Sequence, residues 1–321
     1  MCFLFFVLVE LAFGVEFFIP PTDHRHTAPT LPVEIGWLET GEEDNLLNMH
    51  ESVVMNAFID VRSRNILVPS FLVPGDAEYQ VVVFCLFGLE GDEYCYRIPR
   101  VAVEFYDDEP DGPVVLGLAP GSFFHNIFRS LTISPMLNGE QGNVLTIGPH
   151  DPQSLCAANS TLSNVALMNG NYFGLRVGVD CVNSDASSQS IVSTISDLDW
   201  IPRPAWSELI SELQSAGMEV RAEDQHPAYP TYITRIDSGC DLSRFPILWY
   251  SLSGLDAEGL SHVIDIALYP DDYTTQVGVD GCIVKLLPDD EVGLVIGWNL
   301  VRNVVTHFGD DYIAFCDPPE S

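Results

Sequence analysis

Apolar residues along most of the chain alternate with polar ones or form short runs between turns, as β-strands do. These segments are rich in Val, Ile, Phe and Tyr, and they are separated by Gly, Pro and Asp. Examples are the segments 79–84, 101–106, 143–147, 174–179 and 262–268. β-Branched and aromatic residues pack well on a pleated sheet, so the pattern predicts an all-β protein with a few short helices.

Two segments have the period of an amphipathic helix instead. Residues 122–131 begin at Ser122, a favourable N-cap. Residues 204–216 begin at a proline and are followed by Gly217, which suits the position after a helix. The apolar residues at helical spacing are Phe124, Ile127, Phe128 and Leu131 in the first segment and Trp206, Leu209, Ile210 and Leu213 in the second.

A weak internal repeat divides the chain into two halves. An apolar-apolar-Gly segment occurs at 115–117 and again at 295–297, each time well after an apolar strand, a polar loop and a proline. Acidic turns flanked by prolines in 149–159 mark the seam. The pattern predicts two duplicated β lobes, an N-terminal one at 32–150 and a C-terminal one at 151–321.

The composition is that of a strongly acidic globular protein. Of 321 residues, 47% are hydrophobic, and 13 Lys and Arg stand against 46 Asp and Glu, a net charge of −33. This charge repels nucleic acids and anionic membranes, so neither is expected as a partner. It favours solubility by self-repulsion, or service in an acidic compartment where carboxylates become protonated.

The N-terminal segment predicts export. Residues 1–14 combine a short apolar run with a small-x-small pattern at Ala12 to Gly14, which indicates a signal peptide, although Glu10 interrupts the run and a basic start is missing. Residues 15–31 are then an N-terminal arm. Because no later run of about 18 apolar residues occurs, we expect a secreted protein or one in the lumen of the secretory pathway.

The cysteines agree with an oxidising compartment. Outside the predicted signal peptide there are seven, enough for three disulfides and one leftover thiol, and no Cys-x-x-Cys occurs. Asn159 begins an Asn-Ser-Thr sequon and is a predicted glycosylation site. The acidic turn 107–112 begins like a calcium loop but lacks the closing glutamate, so no metal or cofactor is predicted.

Two loops carry the residues that indicate a chemistry. Residues 58–70 read Phe-Ile-Asp-Val-Arg-Ser-Arg-Asn-Ile-Leu-Val-Pro-Ser, and residues 190–198 read Ser-Ile-Val-Ser-Thr-Ile-Ser-Asp-Leu. The first resembles the Asp-Thr-Gly-Ser-Ser-Asn-Leu-Trp-Val-Pro-Ser loop of the pepsin-like aspartic peptidases (peptidase family A1), and the second resembles their Ala-Ile-Val-Asp-Thr-Gly-Thr-Ser-Leu loop. In this register Asp60 takes the place of the first catalytic aspartate and Ser193 replaces the second.

Three further segments resemble the same family in order and spacing. They are 111–119, similar to Asp-Gly-Ile-Leu-Gly-Leu-Ala, 142–148, similar to a Gly-Ser-Val-x-x-Phe-Gly strand, and 295–303, similar to Ile-Leu-Gly-Asp-x-Phe-Leu-Arg. The resemblance covers roughly residues 32–318. It implies the bilobal acid protease fold, with a cleft between two β lobes, and a monomer.

The resemblance also shows what the chain has lost. Val61 and Arg62 replace Thr and Gly beside Asp60, Ile195 replaces Gly beside Ser193, and only Thr194 is kept. The family's mechanism needs two carboxylates that share a proton around one water, and general acid–base catalysis of this kind contributes about 10²–10⁴-fold. A serine hydroxyl cannot take that part, so Asp60 is interpreted as a remnant. The Arg62 side chain can also pair with Asp60.

The resemblance extends to the cysteines. Cys240 and Cys282 match the family's C-terminal-lobe disulfide. A hairpin around Cys85 and Cys95 is what remains of the substrate-covering flap, with Cys85–Cys95 as its disulfide and Tyr94 or Tyr96 as its flap tyrosine. We further expect Cys156–Cys181, which leaves Cys316 as the free thiol.

Three functions follow from these observations. The first is a secreted, proteolytically inactive homologue that acts as a binding or inhibitor-like protein, with a protein, peptide or glycan ligand in its cleft or on its surface. The second is an aspartic endopeptidase that hydrolyses peptide bonds at acidic pH. The third is a structural or storage secretory protein.

Overall fold

The computed structural model describes most of the chain between residues 14 and 319. The described residues are 14–21, 28–38, 50–72, 81–89, 91–99, 102–106, 113–136, 141–166, 173–177, 180–183, 190–195, 198–223, 233–237, 239–255, 261–277, 281–289, 294–309 and 312–319. The predicted signal peptide, apart from Gly14, and the acidic turn 107–112 lie outside them.

Short strands dominate the described residues. In the first half they are β1 (Val15–Ile19), β2 (Thr30–Leu38), β3 (His50–Asp60), β4 (Ile66–Pro69), β5 (Val81–Phe87), β6 (Glu93–Pro99), β7 (Val103–Tyr106), β8 (Val114–Gly117), β9 (Leu131–Pro135) and β10 (Asn143–Ile147). In the second half they begin with β11 (Ser163–Ala166), β12 (Phe173–Val177), β13 (Asp180–Asn183), β14 (Ser190–Val192), β15 (Asp199–Pro202), β16 (Val220–Glu223), β17 (Ile233–Ile236) and β18 (Leu248–Leu255). They end with β19 (Ser261–Leu268), β20 (Thr274–Val277), β21 (Gly281–Val284), β22 (Leu286–Asp289), β23 (Leu294–Ile296), β24 (Val305–Phe308) and β25 (Tyr312–Cys316).

The helices of the described residues are short. They are α1 (Phe123–Phe128), α2 (Arg203–Ser215), α3 (Pro270–Tyr273), α4 (Trp298–Val301) and the 3₁₀ turns Ser70–Leu72, Pro152–Leu155 and Leu242–Arg244. No described helix has the length and apolarity needed to cross a membrane. The predicted all-β architecture is confirmed.

The two predicted helices form with small differences at their ends. Ser122 caps α1 by accepting a hydrogen bond from the N–H of His125 at 3.1 Å, as its sequence position indicates. The helix ends three residues earlier than expected, because Leu131 pairs within a sheet as the first residue of β9. Leu209 and Leu213 of α2 are buried, and Gly217 follows the helix with a φ of +76°, a conformation that glycine adopts readily.

One large sheet joins the two halves of the chain. Its ten strands run in the order β1-β10-β9-β24-β25-β11-β18-β12-β13, with β19 beside β18. The halves meet where β9 pairs antiparallel with β24, which sets Leu131 opposite Phe308. Strand β1 lies at one edge on β10, with Phe17 and Ile19 fully buried. The interpretation of 15–31 as an arm did not anticipate this strand.

A four-stranded arrangement occurs once in each half, with the same topology. In the first half the order is β3-β8-β4-β7, and in the second it is β14-β23-β15-β22. In both, the first pair and the last pair are parallel and the middle pair is antiparallel. The apolar-apolar-Gly segments that suggested a repeat correspond to β8 with Gly117 and to β23 with the following Gly297. The predicted duplication is therefore confirmed.

Three disulfides form among the described residues. Cys85–Cys95 joins β5 to β6 at directly opposite positions, and Cys240–Cys282 is present as well, so both of these predictions are confirmed. The prediction of Cys156–Cys181 is wrong, because Cys156 is bonded to Cys316 with their Cα atoms 5.7 Å apart. Cys316 is consequently not the free thiol.

Strand order explains the third pairing. Strand β11 begins seven residues after Cys156 and pairs with β25, with Ser163 opposite Phe315, which brings Cys156 to the end of β25. Cys181 lies on β13, four strands away from β25 in the same sheet. Neighbouring strands are about 4.8 Å apart, so this separation is roughly 19 Å, well beyond the reach of a disulfide.

A buried polar cluster lies at the junction of the two halves. The hydroxyl of Thr132 on β9 is 2.9 Å from Nδ1 of His307 on β24 and 2.6 Å from Nε2 of His150. Nδ1 of His150 lies 2.7 Å from the carbonyl of Gly148, and the hydroxyl of Tyr312 is 3.2 Å from Nε2 of His307. Burial, together with the nearby His150, lowers the pKa of His307 from 6.5 to about 4.

This cluster predicts an acid-sensitive contribution to stability. The unfolded chain binds a proton at His307 near pH 6.5, whereas the folded chain binds it only near pH 4. Stability from this residue is therefore complete above pH 6.5 and falls as the pH decreases to 4, by about 2–3 kcal/mol. Urea unfolding at pH 6.5 and at pH 4 measures this loss of stability. We expect the loss to be smaller by about 2–3 kcal/mol in His307→Gln. Equal losses in the two proteins would contradict the prediction.

Candidate functional site

The two loops predicted to carry the chemistry occupy equivalent places in the repeat. Asp60 is the last residue of β3 and lies opposite Gly117 of β8. Ser193 directly follows β14, and its N–H donates to the carbonyl of Ile296, the residue before Gly297. We call residues 60–65 and 193–195 the loop pair. The sequence register that equated Asp60 with Ser193 is thus reproduced in three dimensions.

Thr194 connects the two loops. Its hydroxyl donates to the carbonyl of Ile59 at 2.6 Å and accepts a hydrogen bond from the N–H of Val61 at 3.3 Å. Thr194 is completely buried and Val61 is nearly so. Val61 stands where the family pattern has a second threonine. Its side chain cannot form hydrogen bonds to the other loop, so among the described residues Thr194 alone supplies the side-chain hydrogen bonds between the two loops.

The Asp60 carboxylate is held by its own loop. Its Oδ1 accepts a hydrogen bond from the main-chain N–H of Arg62 at 2.8 Å. The expected ion pair with the Arg62 guanidinium does not form, and the Arg62 side chain is exposed. Asp60 therefore keeps a fixed orientation through the backbone.

In the second loop, the position equivalent to Asp60 carries a hydroxyl, that of Ser193. Ser193 is buried, at 4% exposure. A serine hydroxyl does not ionise in the acidic range, and it cannot share a proton with Asp60 as a second carboxylate would. The loop pair therefore provides one carboxylate where a dyad that shares one proton requires two.

Close backbone contacts explain why both repeat glycines are present. A side chain at Gly117 would collide with the carbonyl oxygens of Ser63 and Asn65, and one at Gly297 would collide with Leu198 and with the carboxylate of Asp199. Each glycine thus lets one strand pass directly behind one of the two loops. The scaffold around the loop pair is intact on both sides.

Asp199 is a site residue that sequence reasoning missed. It is fully buried at the start of β15, six residues after Ser193. Its Oδ1 accepts from the N–H of Gly297 and its Oδ2 from the hydroxyl of Tyr250, both at 2.8 Å. Burial and then the charge of Asp199 raise the pKa of Tyr250. Asp199 is thus a fully buried part of the scaffold that binds Gly297 and Tyr250.

The hairpin of β5 and β6 forms as predicted, but its tyrosines pack inward. The ring of Tyr94 lies 5.8 Å from that of Phe17, and the ring of Tyr96 lies 5.8 Å from that of Phe124, both edge to face. These contacts support the core. Neither tyrosine extends from the hairpin tip as a flap residue would.

Potential metal and modification sites are few in the part of the chain that is described. The one cluster of ligand-type side chains with suitable spacing is Cys85, Glu93 and Cys95, and its two sulfurs are joined in a disulfide. Asn159 is exposed on a turn after the 3₁₀ turn Pro152–Leu155. Its glycosylation stays a prediction.

Comparisons with known proteins identify the fold. The crystal structure of basic 7S globulin from soybean is similar, with a TM-score of 0.59, 9% sequence identity, and coverage of 94% of this chain and 96% of that chain. The chain has the pepsin-like bilobal fold. No protein-family model matches the sequence. No curated protein matches it either.

The pepsin-like fold explains the position of the loop pair. The four-stranded arrangement of each lobe delivers one loop, Asp60 from the first and Ser193 from the second, and Thr194 joins them. At 9% identity the similarity supports the fold alone, and any activity has to be argued from the residues of the site.

Proposed function

We propose that the protein is a secreted, proteolytically inactive homologue of the pepsin-like aspartic peptidases that binds a partner through its inter-lobe cleft. The observation that carries this proposal is that Asp60 and the buried Ser193 occupy equivalent places in the two loops. Asp60 is the remnant of the first catalytic aspartate and Ser193 replaces the second. Three disulfides are typical of an extracellular or secretory protein.

Additional changes in the loop pair support the loss of proteolysis. Arg62 and Ile195 stand at the two positions where the family pattern has glycine, and both are exposed. Where the family pattern has no side chain, this chain therefore carries two exposed ones. Both changes are expected to prevent the positioning on which hydrolysis depends.

A retained scaffold around a lost dyad favours binding. The Thr194 bridge and both repeat glycines still hold the loop pair in position. A preorganised concave site loses little entropy on binding a ligand, whether or not it catalyses a reaction. The similar soybean structure is named a globulin, which keeps a storage role as the second candidate.

A digestion assay tests the loss of proteolysis. Purified protein is incubated with casein and haemoglobin at about pH 3 and about pH 5, with and without pepstatin, beside the same protein carrying Asp60→Asn. We expect no cleavage that pepstatin inhibits and no difference between the two proteins. Pepstatin-sensitive cleavage that Asp60→Asn abolishes would show an aspartic endopeptidase instead.

A binding assay separates a binding protein from a storage protein. The immobilised protein is exposed to extracellular fluid and to peptide libraries, and retention is measured against increasing ligand concentration. We expect saturable retention that the double substitution Arg62→Gly and Ile195→Gly alters. Retention that never saturates would favour the storage role.

A further inference from the structure

Two of the few basic residues of this chain lie together in the loop pair. The protein has 13 Lys and Arg among 321 residues, yet Arg62 and Arg64 lie only two and four positions after Asp60. In the loop that residues 58–70 resemble, these positions are Gly and Ser. Both arginines are exposed. Two exposed cationic side chains have therefore been placed in one of the two loops of an otherwise acidic protein.

The guanidinium groups of this loop are available to an anionic ligand. The Asp60 carboxylate already accepts from the N–H of Arg62, and the Glu104 carboxylate accepts from the Asn65 side chain at 2.7 Å. Among the described residues, neither arginine side chain has an ion-pair or hydrogen-bond partner. Asp60 and Glu104 thus accept their hydrogen bonds from other groups of the loop, while the guanidinium donors are available.

The position of Arg64 is defined by the turn before α1. A Cβ at Gly121 would lie 3.8 Å from Nε of Arg64, so the guanidinium runs along this glycine without a side chain to cover it. Gly121 has a φ of +84°, which only glycine adopts readily. The turn therefore adds no side chain over the Arg64 guanidinium.

An apolar side chain occupies the equivalent position in the other loop. Ile195 is 45% exposed, while its neighbour Thr194 is fully buried. The Thr194 bridge holds the two loops together, so the loop pair carries exposed guanidinium groups on one loop and an exposed aliphatic group on the other. This combination suits a peptide in which an acidic residue is next to an aliphatic one.

We infer that the loop pair recognises an acidic peptide segment, with Arg62 and Arg64 binding a Glu or Asp side chain and Ile195 contacting an adjacent aliphatic residue. The inference rests on the proposed function, because it assigns a ligand class to the proposed cleft. Arginine binds carboxylates in a bidentate manner, and such charge-assisted bonds are strong. The net charge of −33 opposes the approach of an anion, but salt screens that long-range repulsion beyond about 8–10 Å.

Fluorescence anisotropy of the full-length protein tests this ligand class. The probe is a fluorescein-labelled peptide of repeated Leu-Glu, and the comparison is the same peptide with every Glu replaced by Gln. We expect the acidic peptide to bind at least about 10-fold more tightly. The double substitution Arg62→Gly and Arg64→Ser restores the family residues and should remove most of this preference. Arg62→Lys with Arg64→Lys should retain part of it.

Arg221→Gln provides a matched control. Arg221 is an exposed arginine on β16, in a sheet that contains neither loop, and its loss changes the net charge without altering the loop pair. It should leave the preference unchanged. Equal binding of both peptides, or an acidic preference that survives the double substitution, would overturn the ligand class while the proposed cleft binding stands. If neither peptide binds but another partner binds saturably, the ligand class is likewise overturned and the proposed cleft binding stands. No saturable binding of any partner would overturn both.

Discussion

Replacing both Cys156 and Cys316 by alanine should lower the free energy of unfolding by about 5 kcal/mol, the largest effect we expect from any disulfide here. The two residues are 160 positions apart, so their bond closes by far the longest loop of the three disulfides. In the chain-entropy account, the stabilisation grows with the logarithm of this loop length and reaches about 5 kcal/mol. The bond also holds the end of β25 against the segment before β11.

Cys85–Cys95 supplies the control, because it closes a loop with a separation of only 10 residues. The corresponding double alanine variant should lose about 3 kcal/mol. Urea unfolding of the unchanged protein and the two double variants gives the two losses of stability. Peptide mapping without reduction shows which cysteines are bonded and whether Cys181 is a free thiol. A mapped Cys156–Cys181 bond, or a smaller loss for Cys156 and Cys316 than for Cys85 and Cys95, would contradict the structure.

The elements that sequence reasoning located well are those with a local signal. The Ser122 cap and the apolar period of α2 depend on residues within one or two turns. Strand β1 and the end of α1 depend on distant partners. Phe17 is buried because β1 pairs with β10, more than a hundred residues later, and Leu131 leaves the helical pattern because β9 takes it into a sheet. Such tertiary pairing overrides local propensity.

The site shows the same division. The equivalence of Asp60 and Ser193 was visible in the sequence because each loop has a motif and each lobe repeats it. Asp199 had no such motif. Its one local signal is that it lies between the apolar residues Leu198 and Trp200, and a buried acid needs donors that only the fold supplies. The wrong pairing of Cys156 has the same origin, since it depends on the order of strands in the sheet.

Thr194→Val should destabilise the protein by about 2–4 kcal/mol, although the two side chains have nearly the same shape. The hydroxyl of Thr194 serves the carbonyl of Ile59 and the N–H of Val61, and both Thr194 and Val61 are buried. Valine would leave the N–H of Val61 in the protein interior without an acceptor, at about 1–3 kcal/mol, and it would also remove a donor from the Ile59 carbonyl. No second threonine can compensate, because the equivalent residue in the other loop is Val61.

Thr306→Val is the matched control for this substitution. Thr306 is equally buried, on β24, but its hydroxyl has no hydrogen-bond partner among the described residues. Removing that hydroxyl should be neutral or stabilising, since the buried polar group makes no bond that would be lost. Urea unfolding should therefore separate two isosteric Thr→Val changes by at least about 2 kcal/mol. Equal effects would mean that the hydroxyl of Thr194 does not bridge the loops, and that the loop pair is held together by backbone packing alone.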